Sequence, residues 1–134
     1  MRQRVAGSIL PSTAAVSPNM RLKSALWVAA YLRRCQVEGV FAVVRRRGAE
    51  ESGAVFVRVS RLDGTSDLYG PAPQSAFDAA PGAARTFSPS LAAQPAPDVA
   101  VDAYLTREIK FDSDVWIVEV EDRSGRNFLD VVVG

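Results

Sequence analysis

Apolar residues recur at helical spacing over residues 22–35, with Leu22, Leu26, Ala29 and Ala30 on one face and Val28, Leu32 and Cys35 on a neighbouring one. Together they take up most of the circumference. That predicts a helix packed on more than one side, with Lys23, Arg33 and Arg34 marking its exposed strip and ends. Gly39 breaks the helix, and Arg33 and Arg34 in its last turn complement the negative end of the helix dipole. Residues 40–44 form an apolar run rich in β-branched side chains and without alternation, which predicts a central strand covered on both faces. A loop follows, made of Arg45-Arg46-Arg47-Gly48 and the pair Glu50-Glu51. After Gly53, Val55, Val57 and Val59 alternate with Phe56, Arg58 and Ser60, the pattern of a strand with one buried face. Asp63-Gly64 interrupts the run and predicts a hairpin, because both turn positions tolerate positive φ. Its return strand contains Leu68-Tyr69 and ends at Gly70-Pro71 and Pro73.

From residue 77 to residue 97 the composition turns to Ala, Pro, Gly and Ser, with Phe87 and Leu91 as anchors, and reads as a loop; a short helical turn over residues 75–79 is compatible with the pattern. Asp98, after Pro97, is placed to cap a second helix. Val101, Tyr104, Leu105 and Ile109 recur on one face of it as far as about Phe111, while Asp102, Arg107 and Lys110 face away. After Asp112-Ser113-Asp114, Trp116, Val118 and Val120 alternate with Ile117, Glu119 and Glu121 in a half-exposed strand. A turn over residues 122–126 leads into a last strand at residues 128–133, expected to pair with its predecessor as a hairpin. The order helix, strand, hairpin, loop, helix, hairpin defines an α/β (α+β) class: one domain over residues 20–134, two main helices and a mixed sheet of about five strands, with a Pro/Ala-rich loop at 79–97. If the strands holding Leu68 and Trp116 were parallel neighbours, the second helix would be a right-handed crossover between them. Trp27 and Trp116 are expected to meet between the first helix and the sheet.

Three strings narrow the reading: RLKSALWVAAYLRRC at residues 21–35, GAVFVRVSRLDGTSDLYGPAPQSAFD at 53–78 and VDAYLTREIKFDSDVWIVEVEDRSGRNFLD at 101–130. They resemble a family of small alphaproteobacterial proteins, domain of unknown function 1491. The resemblance implies a single compact α/β domain starting near Met20 and carries no catalytic residue with it. The segment from 79 to 97 departs from the family's usual tie into the second helix.

Composition then restricts the chemistry. The 134 residues hold no histidine and one cysteine, Cys35. The chain therefore lacks a side chain that titrates near neutrality unperturbed, and lacks the commonest nitrogen ligand for transition metals. A Ser-His-Asp hydrolase is excluded, and a Ser-Lys variant using Lys23 or Lys110 has no motif behind it. Cys35 cannot form an internal disulfide and reads as a buried, inert thiol, which favours a reducing, cytoplasmic setting. No apolar run approaches the roughly 18–20 residues a bilayer span needs, so no membrane association is expected. Residues 1–19 hold Arg2 and Arg4 with no acid or periodicity; their apolar centre is short for a secretory signal, which leaves a disordered leader or a start at Met20.

The net charge of +1 hides a division: residues 20–70 carry nine basic side chains against five acids, and residues 98–134 carry four against nine. Within one domain these halves attract each other. Three functional readings follow. The leading one is a non-catalytic binding or adaptor domain for an unidentified protein partner, with a surface at Arg45, Arg46, Arg58, Arg61 and Tyr69. The alternative is a small enzyme or ligand-binding protein that sets Glu108 and Asp112, one helical turn apart, against Arg33 or Arg34 in a helix–sheet cleft. The third is weak nucleic-acid binding, with arginines on phosphates and Phe56 or Tyr69 stacking on bases. No spacing calls for a metal or cofactor: the calcium-loop and phosphate-loop patterns are both missing.

Overall fold

The computed structural model of the chain describes residues 23–73 and 85–134. The expectations for the leader, for Leu22, for the turn at 75–79 and for the loop up to residue 84 lie outside the described residues. The elements in chain order are α1 (Ser24–Val37), β1 (Ala42–Arg46), β2 (Val55–Ser60), β3 (Thr65–Pro71), β4 (Phe87–Pro89), β5 (Ala96–Pro97), α2 (Asp98–Phe111) and β6 (Trp116–Glu121). The strands form one six-stranded mixed sheet in the order β1-β6-β2-β3-β4, with β5 also paired to β3. The α+β class and the two helices among the described residues agree with the pattern. The extra strands come from the segment read as loop, where β4 and β5 share the outer edge of β3. Between them Gln94 Oε1 accepts from the amides of Leu68 and Leu91, at 3.1 and 3.2 Å.

The hydrogen-bonded register sorts side chains to the two faces, since alternate residues point to opposite sides of a pleated sheet. β2 runs parallel to β6 with Val55, Val57 and Val59 beside Trp116, Val118 and Val120, and these meet Val28, Tyr31 and Cys35 of α1. On the other face Phe56, Leu68 and Ile117 meet Val101 and Leu105 of α2. α2 therefore crosses over the sheet from β3 to β6. Because β6 lands parallel to β2, and not beside β3, the expected crossover between the Leu68 and Trp116 strands is corrected by one position in the sheet.

Four further expectations are corrected. α1 packs on one side only, through Ser24, Val28, Tyr31 and Cys35, while Leu26 stays 56% exposed and Ala29 and Ala30 face outward. The strand at 40–44 is the sheet's edge, and the strand at Trp116 is central. The apolar run of β1 lies half-buried under α1, whereas β6, despite its glutamates, is covered on both faces. Asp98 is the first helical residue and Pro97 the N-cap; the Asp98 carboxylate turns to the sheet instead of capping α2. Finally, residues 128–133 form no hairpin strand. Phe128 takes a left-handed φ of 58°, and the segment lies along α1. There Tyr31 Oη donates to Asn127 O at 2.5 Å and Arg34 Nη1 to Phe128 O at 2.8 Å, and only a single parallel bridge joins Val132 to Phe87.

The two tryptophans belong to one apolar cluster. Trp27 stacks on Tyr31 with centroids 5.1 Å apart and tilts against Phe87, while Trp116 donates its Nε1 to Ala49 O at 2.7 Å. Burial, with Cys35 next to it, pushes the Tyr31 hydroxyl well above its ordinary value, and burial likewise raises the Cys35 thiol. α1 stops where its C-terminal carbonyls are met by Glu38, Gly39 and Val40; Gly39 has φ +74° with open space around it, the left-handed cap that glycine adopts without strain.

The one-sided packing of α1 is checked by Leu26→Ala, with a buried residue on the α2 face as the reference. Leu68→Ala, at a fully buried position under α2, is expected to lower stability by about 2–5 kcal/mol, and Leu26→Ala to stay within about 0.5 kcal/mol of the parent in urea unfolding. A large loss at Leu26 would mean that the outer face of α1 is packed after all.

Candidate functional site

Four arginines of the N-terminal half, Arg34, Arg45, Arg58 and Arg61, are held by acids, most of them from the C-terminal half. Arg45 Nε donates to Glu119 Oε1 at 3.0 Å across the β1–β6 pair. Arg58, its side chain 13% exposed, donates to Asp102, to Asp98 at 3.0 Å and to Ser66 Oγ at 3.2 Å, and Ser66 Oγ in turn donates to Asp98. Burial opposes the charge of Arg58, and the hydrogen bonds to Asp102 and Asp98 outweigh it, leaving the guanidinium above its ordinary value. Arg61 donates to Asp67 at 2.8 Å, and that hydrogen bond is the chief cause of its raised value. Its guanidinium lies against Gly125, where an added β-carbon would collide with Nη2.

The residues of the expected basic surface consequently do not share a face. Arg58 points to the α2 side of the sheet, whereas Tyr69 is half-buried on the α1 side next to Val57. Arg46 Nη1 donates to the carbonyl of Arg47. The alternative constellation is divided as well. Arg34 pairs with Asp130 at 2.8 Å and ties down the C-terminal segment, and Arg33 is exposed on α1. Glu108 and Asp112 stand on the opposite side of the sheet.

Those two carboxylates line a cleft of about 400 Å³ between α2 and the sheet. Tyr104, Glu108 and Asp112 recur every fourth residue and make its helical wall. Phe56 and Val115 form the apolar side, with Tyr104 edge-on to Phe56 at 6.4 Å. The remaining wall is Pro71, Pro89, Ser88 and Ser90, from β3, β4 and the turn after it. Gly70 sits at the base of this wall, where a β-carbon would meet Phe56 at 2.5 Å and Ser90 Oγ at 3.0 Å, so only glycine leaves the strand and ring this close. Neither Glu108 nor Asp112 takes part in an ion pair among the described residues; Asp112 Oδ1 accepts only from the amide of Asp114, at 2.9 Å. Periodicity points to Glu108 and Asp112. It gives no sign of Phe56, Gly70, Ser88 or Ser90, which reach them only through the crossing of α2 over the sheet. Among the described residues no three Asp, Glu, Cys or His side chains are placed to hold a metal ion, and no helix is long and apolar enough to cross a membrane.

A mixed sheet between two helices, with a helix–sheet cleft, defines a small single-domain α+β protein. The chain belongs to the family described as protein of unknown function DUF1491, whose model matches residues 22–130. It is similar to a DUF1491 family protein from Caulobacter crescentus seen in a crystal structure, at 36% identity and TM-score 0.69, covering 86% of this chain and all of that one. The solution structure of protein Atu0922 from A. tumefaciens matches at 43% identity and TM-score 0.69, covering 84% and 95% of the two chains. An NMR structure of a Caulobacter crescentus family protein matches at 38% identity and TM-score 0.68. Among curated proteins the chain has no match.

Glu108 in the last turn of α2 and Asp112 at its C-cap both stand at the negative end of the helix dipole, which works against helix stability. Glu108→Gln or Asp112→Asn is therefore expected to raise the stability of the ligand-free protein by about 0.3–1 kcal/mol in urea unfolding. A loss of stability would show instead that these carboxylates hold the fold.

Proposed function

We propose that this protein is a cytoplasmic, non-catalytic binding domain whose ligand site is the cleft between α2 and the sheet. The observation that carries the reading is the pairing of concavity with unspent charge. At about 400 Å³ the cleft falls in the range of small-molecule sites, and it combines aromatic and proline walls with two carboxylates outside the ion-pair network. The site offers carboxylates, rings and serine hydroxyls, without the imidazole or thiol on which most small hydrolytic sites rely. The cytoplasmic part of the proposal is supported by Cys35, a fully buried free thiol.

An adaptor or nucleic-acid surface at Arg45, Arg46, Arg58, Arg61 and Tyr69 has less behind it. A phosphate or acidic partner would have to draw Arg58 and Arg61 away from Asp98, Asp102 and Asp67. Amide chemical-shift mapping separates the readings. Titration with a fragment set of cationic, neutral and anionic members is expected to shift Phe56, Gly70, Ser88 and Tyr104, and heparin is expected to leave the amides of Arg45, Arg46 and Arg58 in place. Saturable heparin shifts at those arginines, with a silent cleft, would overturn the proposal in favour of the basic surface.

A further inference from the structure

Resting on that reading of the cleft, we infer that its ligand is a small organic cation, an ammonium or guanidinium group carried on a short apolar body. Among the described residues, the only charged side chains lining the cleft are Glu108 and Asp112. The neighbouring cations of the helix, Arg107 and Lys110, are exposed and do not line it. The other acids of α2, and several beyond it, are matched to arginines: Asp98 and Asp102 to Arg58, Glu119 to Arg45, Asp122 to Arg126 and Asp130 to Arg34. Outside any ion pair among the described residues and at the negative end of the α2 dipole, Glu108 and Asp112 favour a cation in this corner.

The walls decide what sort of cation. Two carboxylates among aromatic and proline surfaces do not make the oxygen cage that a hard metal ion requires. An organic cation uses both parts of the site, its charge on Glu108 and Asp112 and its methylenes on the apolar surface of Phe56 and Tyr104. One face of the Tyr104 ring is already taken by the Arg107 guanidinium, 5.9 Å from the centroid, which leaves Phe56 as the open apolar wall. The Ser88 and Ser90 hydroxyls on the far wall can accept further hydrogen bonds from an ammonium or guanidinium.

The test titrates the full chain with putrescine and agmatine, with the neutral diol of the same chain length as putrescine, and with a short capped arginine peptide, followed by amide shifts and calorimetry. Saturable shifts at Phe56, Gly70, Tyr104 and Glu108 with the cations, absent with the diol and weakened about tenfold by Glu108→Gln, are expected; tenfold corresponds to about 1.4 kcal/mol. Asp112→Asn provides a second variant with the same expected direction. If the arginine peptide binds there and the free amines do not, the cation chemistry holds and its source is a protein side chain. If the diol binds as well as putrescine, or Glu108→Gln and Asp112→Asn leave the amine affinity unchanged, the cation inference falls while the cleft reading stands. If no probe of any charge shifts the cleft amides, both fall.

Discussion

The parallel pairing of β2 with β6 is the constraint from which the rest of the structure follows. Two parallel neighbours cannot be joined by a tight turn, so the chain between them has to cross a face of the sheet, and α2 makes that crossing. The crossing covers the face that α1 leaves open. It turns two adjacent strands with alternating patterns into the centre of a three-layer domain and sets the wall of α2 that carries Tyr104, Glu108 and Asp112 over Phe56 and Gly70. The cleft is thus a consequence of topology: it lies where the C-terminal end of the crossing helix stands away from the short outer strands.

The same pairing brings the basic and acidic halves of the chain into contact. Arg58 on β2 looks up at the first turn of α2 and finds Asp98 and Asp102; Arg45 on β1 finds Glu119 on β6. These pairs differ in weight. Arg45 and Glu119 meet near the surface, where an ion pair contributes little and is screened by salt. Arg58 is mostly buried, and its guanidinium is met by two carboxylates and a hydroxyl, so its loss would leave those acceptors unmatched beneath the helix. Of the charge that looks like a binding surface in a linear reading, Arg45 and Arg58 form part of a seam between two halves of one domain.

What the sequence makes legible here is whatever repeats locally. The alternation of Val55, Val57 and Val59, the break at Asp63-Gly64, and the spacing of Val101, Leu105 and Ile109 each set an element by themselves, and all of these elements formed. What depends on a partner far along the chain was not legible. An unbroken apolar run at 40–44 looks central but became the edge, because α1 covers it on one side and nothing pairs its outer edge among the described residues. Glu119 and Glu121 make β6 look half-exposed, yet it is central, since Arg45 receives Glu119 and α2 covers Ile117. The C-terminal segment has strand composition and still forms no hairpin, because Tyr31 and Arg34 capture its carbonyls along α1. For the site, the four-residue spacing of Glu108 and Asp112 was readable, but which arginines would face them was not: α1 and α2 lie on opposite faces of the sheet, so Arg33 and Arg34 are separated from those acids by a full layer.

Arg58 joins the two halves of the domain through Asp98 and Asp102, and a double-mutant cycle between Arg58 and Asp98 measures that most directly. With Arg58→Met and Asp98→Asn made singly and together and unfolding followed in urea, the account predicts a favourable coupling of about 1 kcal/mol, within the range found for residues sharing one network. Additive effects, with no coupling between the two positions, would contradict it and return Arg58 to the pool of charges available for a partner.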